Sequence, residues 1–167
     1  MAMNSKIDKT KKWFDDFFSN RDEYNSQTQD EKHLEAIIHT LGICNSECRV
    51  LDIGTGTGYL SFEIAKKYKN ANVTGLDIVE ETLKINRDRT IEQKIQNLDF
   101  ISYDGSKFPF ADGLFDIIVT RYALHHFPDI KNSFSEIARV LKKGGKLLIA
   151  DPIPAENDNV RFVDKYM

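Results

Sequence analysis

At 167 residues and 19.2 kDa the chain is long enough to bury the core of one domain and short for two. Hydrophobic residues at 41% and charged residues at 29% describe a globular protein, and 23 bases interspersed among 26 acids form no basic block, so nucleic acid is not an expected partner. No apolar run reaches the roughly 18 residues of a membrane span, and residues 1–6 lack the apolar core of a secretion signal, so the expectation is a cytoplasmic protein with no membrane partner.

In chain order, residues 8–19 place Trp13, Phe14, Phe17 and Phe18 at i, i+1, i+4 and i+5, the stripe of one helix face. The polar residues 25–30 predict a loop. A helix is expected over 31–41, with Leu34, Ile37, Ile38 and Leu41 inward, His33 and His39 on its surface, and Gly42 as its stop. Residues 1–44 thus read as an N-terminal helical segment ahead of a domain over 45–167. Cys44 and Cys48 form a C-x3-C pair with no further ligand at metal spacing. They are assigned to loop and packing, with neither a metal nor a disulfide expected.

From residue 49 the pattern alternates. Strands are predicted over 49–53, 73–77, 99–102, 115–120 and 146–150. The helix after the first strand has Leu60, Ile64, Ala65 and Tyr68 on one face, and the next spans 80–93 with Glu80 and Glu81 at its positive end. A loop through Pro109 and Gly113 precedes the fourth strand. Asp129 caps the following helix, whose Ile130, Phe134, Ile137, Ala138 and Leu141 fall at helical spacing, with Lys142, Lys143 and Gly144 closing it. Short apolar strands alternating with helices imply right-handed crossovers and a parallel sheet covered on both faces. In such a sheet ligands lie beyond the carboxyl ends of the strands, where Gly54, Asp77, Asp104, Thr120 and Arg121 all stand.

The first strand runs Val50-Leu51-Asp52-Ile53 into Gly54-Thr55-Gly56-Thr57-Gly58-Tyr59. Glycines there let the backbone approach a ligand closely, and the helix that follows offers its N-terminus, so a nucleotide-type site is expected. The dinucleotide fingerprint G-x-G-x-x-G needs its third glycine where Tyr59 stands, and Asp52 would repel a pyrophosphate. Both features weaken a nicotinamide-dependent oxidoreductase. A carboxylate suits an ammonium instead, and S-adenosylmethionine carries an ammonium and a sulfonium without a phosphate.

VLDIGTGTGYL at 50–60, GLDIVEETL at 75–83, YDGSKFPFADGLFDIIVTRYALHHFPD at 103–129 and LKKGGKLLIADP at 141–152 follow one another in order. Together they resemble the class I, Rossmann-like S-adenosylmethionine-dependent methyltransferases, in particular small-molecule enzymes similar to the ubiquinone/menaquinone-biosynthesis C-methyltransferases. The resemblance covers about residues 45–155. It implies an α/β fold, a three-layer doubly wound, mostly parallel sheet, here of five strands, and transfer of the sulfonium methyl to a small-molecule acceptor by in-line displacement, with S-adenosylhomocysteine as product.

Carried over to this chain, the resemblance implies that Asp52, Gly54, Thr55, Gly56 and Gly58 line the methionine end, with Asp52 near its amino group. Asp77 would accept from both ribose hydroxyls, Ile78 would pack on the adenine, and Asp104 and the Gly105 N–H would meet its edge. Thr120, through its carbonyl, and Arg121 would border the methionine end and the acceptor. Arg121 and His126 are the candidate catalytic residues, ahead of His125, since both follow strand four beside the expected methyl. Asp116 matches the family's Phe-Asp before strand four and is read as capping local structure. The Asn/Asp-Pro-Pro-aromatic sequence of adenine and glutamine methyltransferases is replaced by Thr120-Arg121-Tyr122-Ala123, which points to a small-molecule acceptor.

Relatives continue after strand five with a helix and an antiparallel hairpin. Here there is room for about one helix over 157–166, so strand five is expected to be an exposed edge in a truncated product, or to be covered by a second copy in a homodimer. A non-catalytic S-adenosylmethionine-binding regulatory or scaffold protein therefore stays open. In relatives an N-terminal segment folds over the cofactor as a lid, which here would bring Tyr24 or Phe18 over the site. A helix docked on the sheet explains Trp13 and Phe17 equally well.

Overall fold

The computed structural model describes residues 7–14, 30–43 and 46–151. Helix α1 (residues 7–14) is followed by α2 (Glu31–Leu41), β1 (Cys48–Ile53), α3 (Tyr59–Lys67), β2 (Ala71–Asp77), α4 (Glu80–Glu92), β3 (Leu98–Ser102), β4 (Phe115–Arg121), a 3₁₀ turn (Leu124–His126), α5 (Ile130–Val140) and β5 (Leu141–Ala150). Phe17, Phe18, Tyr24, Cys44, residues 25–29 of the expected loop and the helix expected over 157–166 lie outside the described residues.

The five strands pair in parallel in the order β3-β2-β1-β4-β5, which is the expected doubly wound sheet. Val50–Ile53 of β1 stand opposite Val73–Leu76 on one side and Ile117–Thr120 on the other. With strands on both sides and helices on both faces, β1 reads as a nearly continuous apolar run, and Val50, Leu51 and Ile53 are fully buried. On one face Leu34, Ile38, Ile64, Leu83 and Val119 pack under α2, α3 and α4. On the other Leu51, Ile118, Phe108, Ile137 and Val140 pack under α5 and the segment 103–114. Each such side chain contributes roughly 1.5–3 kcal/mol by leaving water. The chain winds outward from β1 to β3, then crosses to β4 and β5. The crevice between the carboxyl ends of β1 and β4 is the switch point where such sheets bind ligands.

Helix ends follow local chemistry. The Asp30 carboxylate accepts from His33 N at 3.1 Å to start α2, and Gly42, left-handed at φ 59°, ends it. Asp129 accepts from Asn132 N at 3.0 Å to start α5. The end of α5 departs from the expected pattern. Leu141 turns extended and pairs with Phe115, so β5 begins there and not at residue 146. Lys142, Lys143 and Gly144 form an irregularity in that strand and do not close the helix. Asp116 explains the difference: one carboxylate oxygen accepts from Lys142 Nζ at 2.6 Å and the other from Arg49 N at 2.9 Å, drawing the segment onto the sheet. The lysine also holds this carboxyl below the usual range.

His33 is a second departure. It is half-buried and not on the surface, because the start of α2 abuts the end of β4 and places its Nδ1 3.1 Å from the Tyr122 hydroxyl. His39 is exposed, as expected.

Candidate functional site

The carboxyl ends of β1, β2 and β4 and the segment after β3 surround a cavity of about 620 Å³, counting its open mouth. Gly54, Gly56, Asp77, Ile78, Tyr103, Gly105, Tyr122, Ala123, His126, Phe127 and Pro128 line it, with Ile7, Thr10 and Phe14 of α1 against the same space.

The floor is the turn after β1. Gly54 has φ 70°, and a Cβ there would stand 2.3 Å from that of Ala123, so the turn after β4 packs directly on the turn after β1. Four of the turn's amides are engaged inside the protein. Gly54 N and Thr55 N both donate to Leu76 O at 2.8 and 3.1 Å, Gly58 N donates to Thr55 O at 2.9 Å, and Gly56 N donates to Asp77 Oδ2 at 2.8 Å. A phosphate binds such a turn through free N–H groups. These four are engaged, so the turn offers close backbone approach in place of an anion cradle.

Asp77 ends β2 in the cavity wall. Its Oδ1 accepts from Ile78 N at 2.8 Å and Val79 N at 3.1 Å. Burial raises its pKa while the Gly56, Val79 and Ile78 amides oppose the rise. Asp52 is buried just behind the turn. Its Oδ2 accepts from Ser61 Oγ at 2.6 Å and Thr55 Oγ1 at 2.8 Å. Burial, countered by these hydroxyls, pushes its pKa up to about 6. Arg121 and Asp77 act on it more weakly.

The remaining expected residues divide between the wall and its surroundings. Ile78 and Gly105 line the cavity, and Ile7 Cδ1 lies 3.2 Å from where a Gly105 Cβ would be. Asp104 is exposed and bonded within its own turn, to Ser106 N, Ser106 Oγ and Lys107 N, with the Ser106 hydroxyl foremost in holding its pKa low. Gly58 is off the cavity, where a Cβ would meet the Phe62 and Phe100 rings at 2.9–3.0 Å. Thr120 is buried, its hydroxyl without a hydrogen-bond partner among the described residues. The Arg121 guanidinium lies 4.3 Å from the Tyr122 ring centroid and 5.4 Å from that of Tyr59, outside the lining.

His126 faces the cavity with Phe14 edge-on at 5.0 Å and Trp13 at 6.2 Å. Burial first, then neighbouring His125, lowers its pKa to about 4, so it is neutral at pH 7. His125 Nδ1 lies 3.1 Å from Asp151 Oδ1.

Several wall residues escape the sequence reading. Tyr103 precedes Asp104 and is the first residue beyond the predicted third strand, whereas Tyr122 follows Arg121 and stands one residue past the end of β4, which runs one residue further than expected. Tyr122 is left-handed at φ 54° without being glycine, a strain that cannot be read from residue type. Among the described residues no cluster of three or more His, Cys, Asp or Glu could hold a metal, and no helix is long and apolar enough to cross a membrane.

Known proteins share this arrangement. The chain is 35% identical over 114 residues to YcgJ, an uncharacterized methyltransferase of Bacillus subtilis, a match spanning 68% of this chain and 44% of that protein. The YcgJ crystal structure superposes with a TM-score of 0.67, covering 73% of this chain and 51% of that one. A demethylmenaquinone methyltransferase of Listeria monocytogenes is 30% identical over 150 residues, 88% of this chain and 63% of the enzyme. Phosphoethanolamine N-methyltransferase 2 of Haemonchus contortus, solved with phosphomonomethylethanolamine and S-adenosylhomocysteine, is 30% identical with a TM-score of 0.65, covering 71% of this chain and 27% of that one. The chain thus spans less than two thirds of each of these relatives. The methyltransferase domain family model matches residues 44–164. A parallel sheet in the order 3-2-1-4-5, a glycine turn at its switch point and this match make the chain a member of the methyltransferase domain family, with its Rossmann-like fold.

Proposed function

We propose that this chain is an S-adenosylmethionine-dependent methyltransferase acting on a small molecule. One observation carries the reading: a nucleotide-type turn whose amides are already engaged stands beside a buried carboxylate at the end of β2, with both in the wall of one cavity. That combination suits an adenosine ligand without phosphates. The residues fit it. Asp77 keeps lone pairs for the ribose hydroxyls, and Ile78 offers an apolar face to the adenine, with Gly105 and Asp104 at its edge. Gly54 and Gly56 would hold the methionine end, with Asp52 and Thr55 behind them, Gly58 letting the turn pack on Phe62 and Phe100, and Thr120 and Arg121 bordering from outside the lining.

When bound, S-adenosylmethionine supplies a methyl group activated by positive sulfur. The protein's part is to align the acceptor and exclude water. Phe14, Tyr122, Ala123 and Phe127 give that part of the cavity an apolar wall, and His126, neutral at pH 7 and with its pKa of about 4 a weak base, would bind the acceptor by hydrogen bonding. Arg121 would steady an anionic group of the acceptor. Helix α1, already against the cavity, would serve as the lid, and a second copy would cover β5, where Leu147 and Ile149 are exposed.

Thermal melting with S-adenosylmethionine, S-adenosylhomocysteine and NAD tests the cofactor. The first two at one hundred times their dissociation constant should stabilise the chain by about 2.7 kcal/mol. A shift with NAD alone would overturn the reading. Release of S-adenosylhomocysteine across a panel of small-molecule acceptors then tests turnover, and binding without release from any of them would favour a regulatory protein.

A further inference from the structure

Gly56 needs a left-handed backbone, φ 50°, at a place where it forms part of the cavity wall. Glycine meets that need but leaves its two peptide groups free to turn. Both are held from outside the turn. The Gly56 N–H donates to Asp77 Oδ2 at 2.8 Å, and the Gly56 carbonyl accepts from Asn86 Nδ2 at 2.8 Å. Asn86 stands in the middle of α4 at 0% exposure, one residue type among the poorer helix formers and costly to bury unless its amide is bonded. One turn further along the helix, Arg89 donates to the Thr57 carbonyl at 2.9 Å while its guanidinium lies 4.2 Å from the Phe62 ring centroid. Helix α4 therefore grips two consecutive carbonyls of the turn.

We propose that Asn86 is a positioning residue for the ligand site. By drawing the Gly56 carbonyl into α4, it stops the Gly56–Thr57 peptide from turning over and keeps the Gly56 amide on Asp77 before any ligand arrives. The ligand then meets a preformed wall and does not bear the cost of ordering it. This rests on the methyltransferase reading for the ligand's identity, though not for the latch itself.

Two measurements on Asn86→Ala decide it, with Val140→Ala, on the opposite face of the sheet, as a destabilised reference. In amide hydrogen exchange without ligand, Gly56 should exchange at least tenfold faster in Asn86→Ala, while Leu51 and Ile118 stay within twofold. In calorimetric titration with S-adenosylhomocysteine, Asn86→Ala should bind at least tenfold more weakly and Val140→Ala within twofold of the parent. Arg89→Met, which keeps the hydrocarbon on Phe62 and removes the donor, should show both effects at about threefold and serves if Asn86→Ala does not fold. Unchanged Gly56 exchange, unchanged affinity, or an equal affinity loss in Val140→Ala each overturns the proposal. If the parent chain binds no S-adenosylhomocysteine, the methyltransferase reading fails, and Gly56 exchange still decides the latch.

Discussion

Asp52 and Asp77 are both buried carboxylates beside the same turn, and their surroundings set them different tasks. Asp77 accepts from three backbone amides, which oppose without cancelling the upward push of burial on its pKa, and its replacement orphans those donors. We expect Asp77→Ala to lose more than about 2 kcal/mol of stability in denaturant unfolding and most of its S-adenosylhomocysteine affinity in titration; unchanged affinity would remove the ribose role. Asp52 has only two hydroxyls against complete burial. Its pKa of about 6 in the folded chain lies above the ordinary value of 3.8, so between these pH values the folded state holds a proton that the unfolded state has lost. Stability linked to Asp52 is therefore full below about pH 4 and is lost as pH rises through 6, by on the order of 3 kcal/mol. Asp52→Asn should gain on the parent chain by that order between pH 4.5 and 7.5 in urea unfolding. A flat difference across this range would show that Asp52 is not strained by its charge. A ligand ammonium beside the turn would relieve that strain, so the parent chain should gain more from S-adenosylhomocysteine at pH 7.5 than Asp52→Asn does.

The elements differ in how openly the sequence declares them. Helix α2 is legible from Asp30 to Gly42 because cap, apolar stripe and stop residue all agree. Helix α5 is just as clear at its start, and Asp129→Ala should cost about 1 kcal/mol in denaturant unfolding; a loss below a few tenths would mean that the helix start is held by packing alone. Its end is not legible, because Lys142, Lys143 and Gly144 match a helix terminus by composition while the determining contact, Asp116 to Lys142 and Arg49, joins residues far apart in sequence. The site shows the same division. Gly54, Gly56, Asp77, Ile78 and Gly105 stand at strand ends or within three residues beyond them, and the alternation of strands and helices brings them to one edge. Asn86, Ser61 and the His33–Tyr122 contact reach the site from helices packed beside it, and nothing in their spacing announces a partner across the fold.

At the scale of the whole molecule, among the described residues the sheet ends at β3 on one side and at β5 on the other, and Leu147 and Ile149 are 36% and 42% exposed along β5. Unpaired apolar edges associate. Leu147→Lys with Ile149→Lys should shift sedimentation toward the monomer, with S-adenosylhomocysteine affinity within twofold of the parent; a parent chain already monomeric at high concentration would refute a second copy on this edge. The engaged amides of the glycine turn have a consequence for selectivity in a mixed pool of metabolites. ATP presents the same adenosine, but its phosphates would lose their water beside a turn with four N–H groups already satisfied and Asp52 close behind. On the proposed reading, the protein would tell adenosine derivatives apart by what it withholds from the competitor. In a competition titration, an excess of ATP should leave S-adenosylhomocysteine binding nearly unchanged, whereas adenosine should displace it.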